Sequence, residues 1–131
     1  MPSFIIEGGH RLKGNITPQG AKNEALQVLS AALLTDAPVI LHNLPDILDI
    51  NNQIRLLQDV GVSIQRTSPH DIILQANAVD TQYLQSDEFL QRCGKLRGSV
   101  MLMGPLLARF GQAMIARPGG DNIGRRRLDT H

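Results

Sequence analysis

Gly20-Ala21-Lys22-Asn23-Glu24-Ala25-Leu26-Gln27-Val28-Leu29-Ser30-Ala31-Ala32-Leu33-Leu34, with Pro38 and then Val39-Ile40-Leu41 behind it, is the stretch from which the architecture of this chain can be read. Ala25, Leu26, Leu29, Ala32 and Leu33 recur at helical spacing, and alanine and leucine favour that state, so the spacing predicts a helix from about Lys22 to Leu34. Pro38 cannot continue it, and Val39-Ile40-Leu41 reads as a buried strand. The same order returns 75 positions later. Arg97 to Arg109 is helical by periodicity, with a bend expected at Gly104-Pro105, and Ala113-Met114-Ile115-Ala116 is the strand that follows. Lys22 falls on Arg97, Leu33 on Ala108, Ile40 on Ile115 and Asp46 on Asp121, all at that one offset. Self-similarity of this kind marks repeated supersecondary units that bury their apolar faces against one another.

Working outward, Phe4-Ile5-Ile6-Glu7 is a short strand candidate broken by Gly8-Gly9, and Leu12 to Thr17 resumes an extended pattern. Past Leu44-Pro45-Asp46, a second helix is expected from Ile47 or Leu48 to Val60. Ile50, Ile54, Leu57 and Val60 lie on one side of it, and Gly61 is its stop. Val62 to Gln65 and Asp71 to Gln75 alternate well enough for a hairpin across Thr67-Ser68-Pro69-His70, and a loop is expected around Asn77–Asp87. The unit is therefore β-α-β-α-β-β and the fold class α+β. One unit is complete and a second stops at Leu128-Asp129-Thr130-His131, where its second helix should begin. The chain reads as part of a longer protein.

A length of 131 residues allows one modest core. The net charge of +1 does not suit a protein that coats nucleic acid or a membrane surface. No apolar run approaches the roughly 20 residues needed to span a bilayer, the N-terminus lacks the layout of a signal peptide, and Cys93 is the single cysteine. These features fit a reducing, cytoplasmic setting. The cations are unevenly placed. Arg92, Lys95, Arg97, Arg109, Arg117, Arg125, Arg126 and Arg127 fall in the last third, which points to a local anion site.

Chemistry concentrates in three places. Lys22 and Asn23 stand where a turn enters a helix, and backbone N–H groups there attract anions. Lysine in a first turn opposes the helix dipole, which favours a ligand-binding role over an ordinary surface lysine. Arg97-Gly98-Ser99 repeats the device, equally open to a solvent-facing arginine. Arg117-Pro118-Gly119-Gly120-Asp121-Asn122-Ile123-Gly124-Arg125-Arg126-Arg127 joins a flexible turn to a carboxylate and planar cations suited to phosphate. Taken alone, it also suits a solvated basic turn, with Asp121 as a turn or cap residue. His10, His42 and His70 are isolated and show no metal spacing; neither metal nor cofactor is expected.

Taken together, Gly20-Ala21-Lys22-Asn23, Arg97-Gly98-Ser99, Gly104-Pro105-Leu106-Leu107-Ala108-Arg109-Phe110-Gly111 and Pro118-Gly119-Gly120-(Asp121)-Asn122-Ile123-Gly124 with Arg126 and Asp129 closely resemble the enolpyruvyl transferases. The likeness is to the branch that acts on UDP-N-acetylglucosamine at the opening of peptidoglycan synthesis. The shikimate-pathway branch, with a Gly-Asp-Lys-Ser type turn where this chain has Gly20 to Asn23, is the lesser match. The resemblance implies two similar domains built from the repeated unit as an inverse α/β barrel. Residues 1–21 would contribute strands to the second domain, and 22–131 would form part of the catalytic one. It implies transfer of the enolpyruvyl group of phosphoenolpyruvate to the 3′-hydroxyl of UDP-N-acetylglucosamine, with phosphate released. Lys22 and Asn23 fall on the phosphoenolpyruvate-binding pair. Arg97 and the run Arg126, Arg127, Leu128, Asp129 and Thr130 fall on positions that contact the nucleotide sugar, with Arg126 also near the phosphate. Asp121 falls on the proton donor.

Two departures stand out. The family's usual residue at Asp121 is cysteine, with an aspartate-bearing minority. An aspartate donates a proton at neutral pH only if its pKa is raised, and the neighbouring arginines push it down. The family chain is also about three times longer, so the general base would lie beyond His131. The isolated chain is expected to lack turnover and to self-associate through uncovered apolar surface. A non-catalytic, anion-binding repeat module is the alternative of another class.

Overall fold

The computed structural model describes residues 3–117 and residue 119. The first helix, α1 (Lys22–Ala31), tightens into a 3-10 turn over Ala32–Leu34 and leads to β1 (Val39–Leu41). Then come α2 (Leu48–Asp59) and the hairpin of β2 (Ser63–Arg66) and β3 (Ile72–Gln75). A 3-10 turn (Tyr83–Gln85) precedes α3 (Asp87–Lys95), a 3-10 helix (Arg97–Leu102) and α4 (Met103–Phe110). The strands form one antiparallel sheet in the order β1-β3-β2, with Ile40 opposite Ile73 and Ile64 opposite Leu74. The chain is thus α+β with a small antiparallel sheet.

The core is what the helical periodicities specify. Ala25, Leu26, Leu29, Ala32 and Leu33 from α1 and its extension meet Ile50, Ile54, Leu57 and Val60 of the second helical segment, and all are buried. Ile72 and Leu74 close the sheet side, and Phe89, Leu102 and Leu106 fill the other end. One polar link crosses this interior. Gln53 Nε2 donates to Ser30 Oγ at 3.0 Å, and Ser30 Oγ donates to the Leu26 carbonyl at 2.8 Å, which ties α2 to α1.

Several expectations are corrected. Phe4 to Glu7 and Leu12 to Thr17 form no strand; Phe4, Ile5, Ile6, Leu12 and Ile16 are all almost fully exposed. Ala113 to Ala116 also forms no strand. A strand needs a partner for its backbone groups. In the first unit β1 pairs with β3, and the 75-residue offset puts the counterpart of β3 beyond residue 131. The segment after Gln85, left without structure by periodicity, contains α3. Ser86 caps it by accepting from the Phe89 N–H at 3.2 Å, with Asp87 and Glu88 in the first turn and Arg92 and Lys95 in the last. At the expected bend the helix changes from 3-10 to α, and Pro105 falls in the first turn of α4, where its missing N–H costs least.

Candidate functional site

Lys22 is the first residue of α1. Ala21 before it offers no side-chain cap, so the first N–H groups of the helix stay open. The Lys22 ammonium forms an ion pair with the carboxylate of Asp49, in the first turn of α2. The two side chains keep 49% and 38% of their exposure, so the pair stands at the surface and is open to a ligand. Asn23 beside it is exposed. A cavity of about 270 Å³ opens on another flank of α1, lined by Ala21, Glu24, Val28, His42 and Asn43 among others; neither Lys22 nor Asn23 lines it.

Arg97 opens the 3-10 helix and is half-buried. Its neighbour Gly98 lies so close to α1 that an added Cβ would stand 3.0 Å from Leu26 Cδ2. Leu26 is one turn beyond Lys22, so this contact seats Arg97 beside the N-terminal half of α1. Buried Ser99 fixes the backbone there, donating to the carbonyls of Cys93 (2.9 Å) and Leu96 (2.7 Å). The glycine-rich segment begins against the end of α3. A Cβ on Gly119 would fall 2.0 Å from the Gly94 carbonyl oxygen, so glycine is required for the contact with the end of α3. Lys22 and Asn23 thus open α1, Gly98 beside Arg97 packs on Leu26 of the same helix, and the entry to the glycine-rich segment lies against the end of α3. Asp121, Arg126, Arg127, Leu128, Asp129 and Thr130 lie outside the described residues.

Not every cation of the last third serves an anion site, which corrects that expectation. Arg92 pairs with Asp59 at 2.5 Å and with Glu88 at 2.7 Å. Arg109 donates to the carbonyls of Leu33 (3.0 Å), Thr35 (2.9 Å) and Ala76 (2.7 Å) and lies over the Phe110 ring. It clamps the end of the first helical segment to the end of β3.

Asp71 also serves structure. Its carboxylate accepts from Ser68 Oγ (2.7 Å), the Asn43 N–H (3.2 Å) and His42 Nδ1 (3.0 Å). The Ser68 bond foremost, then those of Asn43 and His42, holds its pKa below the ordinary value. Cys93 is fully buried, and desolvation raises its thiol to about 11, so it is no nucleophile at neutral pH. Among the described residues no group of three His, Cys, Asp or Glu side chains could hold a metal, and no helix is long and apolar enough to cross a membrane. Asp49 is the member of the site that sequence patterns missed. Its signal was its place in the first turn of a helix, but only the fold brings that turn against Lys22.

Comparison with known proteins gives consistent relatives. A family model described as EPSP synthase (3-phosphoshikimate 1-carboxyvinyltransferase) matches residues 6–131. A protein of Bacteroides fragilis named UDP-N-acetylglucosamine 1-carboxyvinyltransferase is 60% identical over 131 residues, all of this chain and 30% of the relative. Proteins of the same name from Porphyromonas gingivalis and Borreliella burgdorferi are 56% and 45% identical, again over all of this chain and 30% of theirs. The chain therefore spans about 30% of the length of the curated relatives it matches. Among solved structures, the enolpyruvyl transferase NikO from Streptomyces tendae superposes with a TM-score of 0.64 at 26% identity, covering 81% of this chain and 24% of that one.

Proposed function

This chain belongs to the EPSP synthase (3-phosphoshikimate 1-carboxyvinyltransferase) family, and we propose that it works as part of an enolpyruvyl transferase whose acceptor is UDP-N-acetylglucosamine. The observation that carries the choice of acceptor is the 60% identity, along all 131 residues, to a relative named for that reaction. The Lys22–Asn23 turn points the same way, since the shikimate-type turn differs there.

In this reading Lys22 and Asn23 hold phosphoenolpyruvate at the open N-terminus of α1. Arg97, with Arg126, Arg127, Leu128, Asp129 and Thr130, holds the nucleotide sugar, and Arg126 also faces the phosphate. Asp121 gives its proton to the methylene carbon of phosphoenolpyruvate while the acceptor hydroxyl oxygen bonds to C2 and a base outside this chain takes the hydroxyl proton. The C2–O bond to phosphate then breaks, and the new methyl group loses a proton to restore the double bond. Cations held in advance around the departing phosphate are the kind of stabilisation that dominates such reactions. For Asp121 to carry a proton at neutral pH, burial or the bound phosphate dianion must raise its pKa against the arginines. Residues 1–21 belong with the second domain of the barrel-like repeat architecture, and with these substrates the protein works in the cytoplasm and contributes to building the cell wall.

The test is phosphate release by the polypeptide that carries this sequence at the length of its relatives, with each acceptor in turn. Release from phosphoenolpyruvate is expected with UDP-N-acetylglucosamine and not with 3-phosphoshikimate. The reverse pattern would assign the chain to the shikimate branch for which the family model is named, and release with neither would remove the transfer reaction.

A further inference from the structure

Lys22 and Asp49 come from the first turns of two different helices, and neither helix has a side-chain cap at its N-terminus. An ammonium carried on the first turn of α1 and paired with the first turn of α2 lies toward the positive ends of two helix dipoles, which disfavour it. A lysine left to itself in that position would swing its flexible stem toward water. Asp49 prevents this. Its carboxylate is favoured in the first turn of α2, and from there it pairs with the ammonium. An ammonium has three donors, so contact with one carboxylate leaves others for a ligand. With 49% of the Lys22 side chain and 38% of the Asp49 side chain exposed, an anion can reach them.

Building on the phosphoenolpyruvate-binding role given to Lys22 above, we propose that Asp49 is a positioning residue for that substrate, which keeps the Lys22 ammonium where the substrate's anionic groups arrive. The opposite role is equally concrete. A carboxylate that merely competed with the substrate for Lys22 would weaken binding, and its removal would tighten it.

The variants are Asp49→Asn, nearly isosteric but uncharged, and Asp49→Glu, which keeps the charge on a longer arm. Both are made in the polypeptide that carries this sequence at its relatives' length. The dissociation constant for phosphoenolpyruvate is measured by calorimetry, and KM and kcat by phosphate release. For a half-exposed pair the expected effect of Asp49→Asn is a rise of roughly fivefold in Kd and KM for phosphoenolpyruvate. KM for UDP-N-acetylglucosamine, kcat and the melting midpoint should stay put, and Asp49→Glu should recover most of the loss. A purely structural role would instead move the melting midpoint and both KM values together, which overturns the proposal. So would phosphoenolpyruvate binding in Asp49→Asn that is unchanged or tighter. If the unsubstituted protein binds phosphoenolpyruvate without releasing phosphate, the transfer reading falls, and the ratio of dissociation constants still decides Asp49. If it does not bind phosphoenolpyruvate at all, both fall.

Discussion

Asp121 and Cys93 show how far the meaning of a reactive residue depends on its surroundings. In the proposed function Asp121 is the proton donor, at a position where the resemblance implies a cysteine in most of the family, the one that the epoxide fosfomycin alkylates. A thiolate opens an epoxide readily and leaves a stable thioether, whereas a carboxylate is a weaker nucleophile. The longer polypeptide carrying this sequence should therefore be active and insensitive to the drug. Asp121→Cys should confer time-dependent inactivation, seen as a covalent adduct by mass spectrometry; an adduct on the unsubstituted protein would contradict this role. Cys93 offers no substitute nucleophile. Its folded thiol titrates near 11 because burial disfavours the thiolate, against about 8.5 in an unfolded chain. Between those values the unfolded state releases a proton that the folded state keeps, so stability falls as pH rises from about 8.5 toward 11. Cys93→Ala should flatten that part of the stability–pH profile. Iodoacetamide at pH 8 should label Cys93 only after denaturation, and rapid labelling of the folded chain would show that the thiol is not buried.

At the level of elements, Arg109 is the most informative contact. Its Nη1 donates to two carbonyls at the end of the first helical segment and one at the end of β3, while the planar guanidinium lies over the Phe110 ring, a stacking that a lysine ammonium does not reproduce. Arg109→Ala should cost about 2 kcal/mol in chemical denaturation, with Arg109→Lys in between; an unchanged midpoint for Arg109→Ala would mean that the clamp contributes nothing. The sequence could not reveal this role, because an arginine near a run of arginines looks like part of a phosphate site until its partners are seen. What was legible was local. The first two helical segments and the β2–β3 hairpin follow from periodicity and turn residues, and their inward faces are the ones the pattern marks. Ser86 and the charges flanking α3 were also a readable signal, but only Phe89 and Cys93 of that helix are buried, too few for an apolar stripe to stand out. Phe4 to Glu7 and Ala113 to Ala116 have strand-like composition, yet strand formation depends on a distant partner that composition does not supply. The site divides in the same way. Lys22, Asn23 and Arg97 were visible as residue types at helix starts, and Asp49 was not, because its pairing is tertiary.

Across the whole molecule, apolar surface lies open at both levels of organisation. Phe4, Ile5, Ile6, Leu12 and Ile16 are exposed along the leading segment, and Leu34, Ile40, Leu48 and Leu107 on the folded body. Surface of this kind favours association. The 131-residue chain on its own should sediment as a concentration-dependent mixture of monomer and larger species, and a strictly monomeric profile at all concentrations would count against that. It should also show no turnover, since the proposed base lies outside it. The most direct test of the proposed reaction uses the longer polypeptide in heavy water, with phosphoenolpyruvate and UDP-N-acetylglucosamine, and mass spectrometry of the nucleotide sugar. Protonation of the methylene carbon followed by loss of a methyl proton should yield a nucleotide sugar that has gained a carboxyvinyl group carrying deuterium. A nucleotide sugar of unchanged mass, or a carboxyvinyl product without deuterium, would contradict the account.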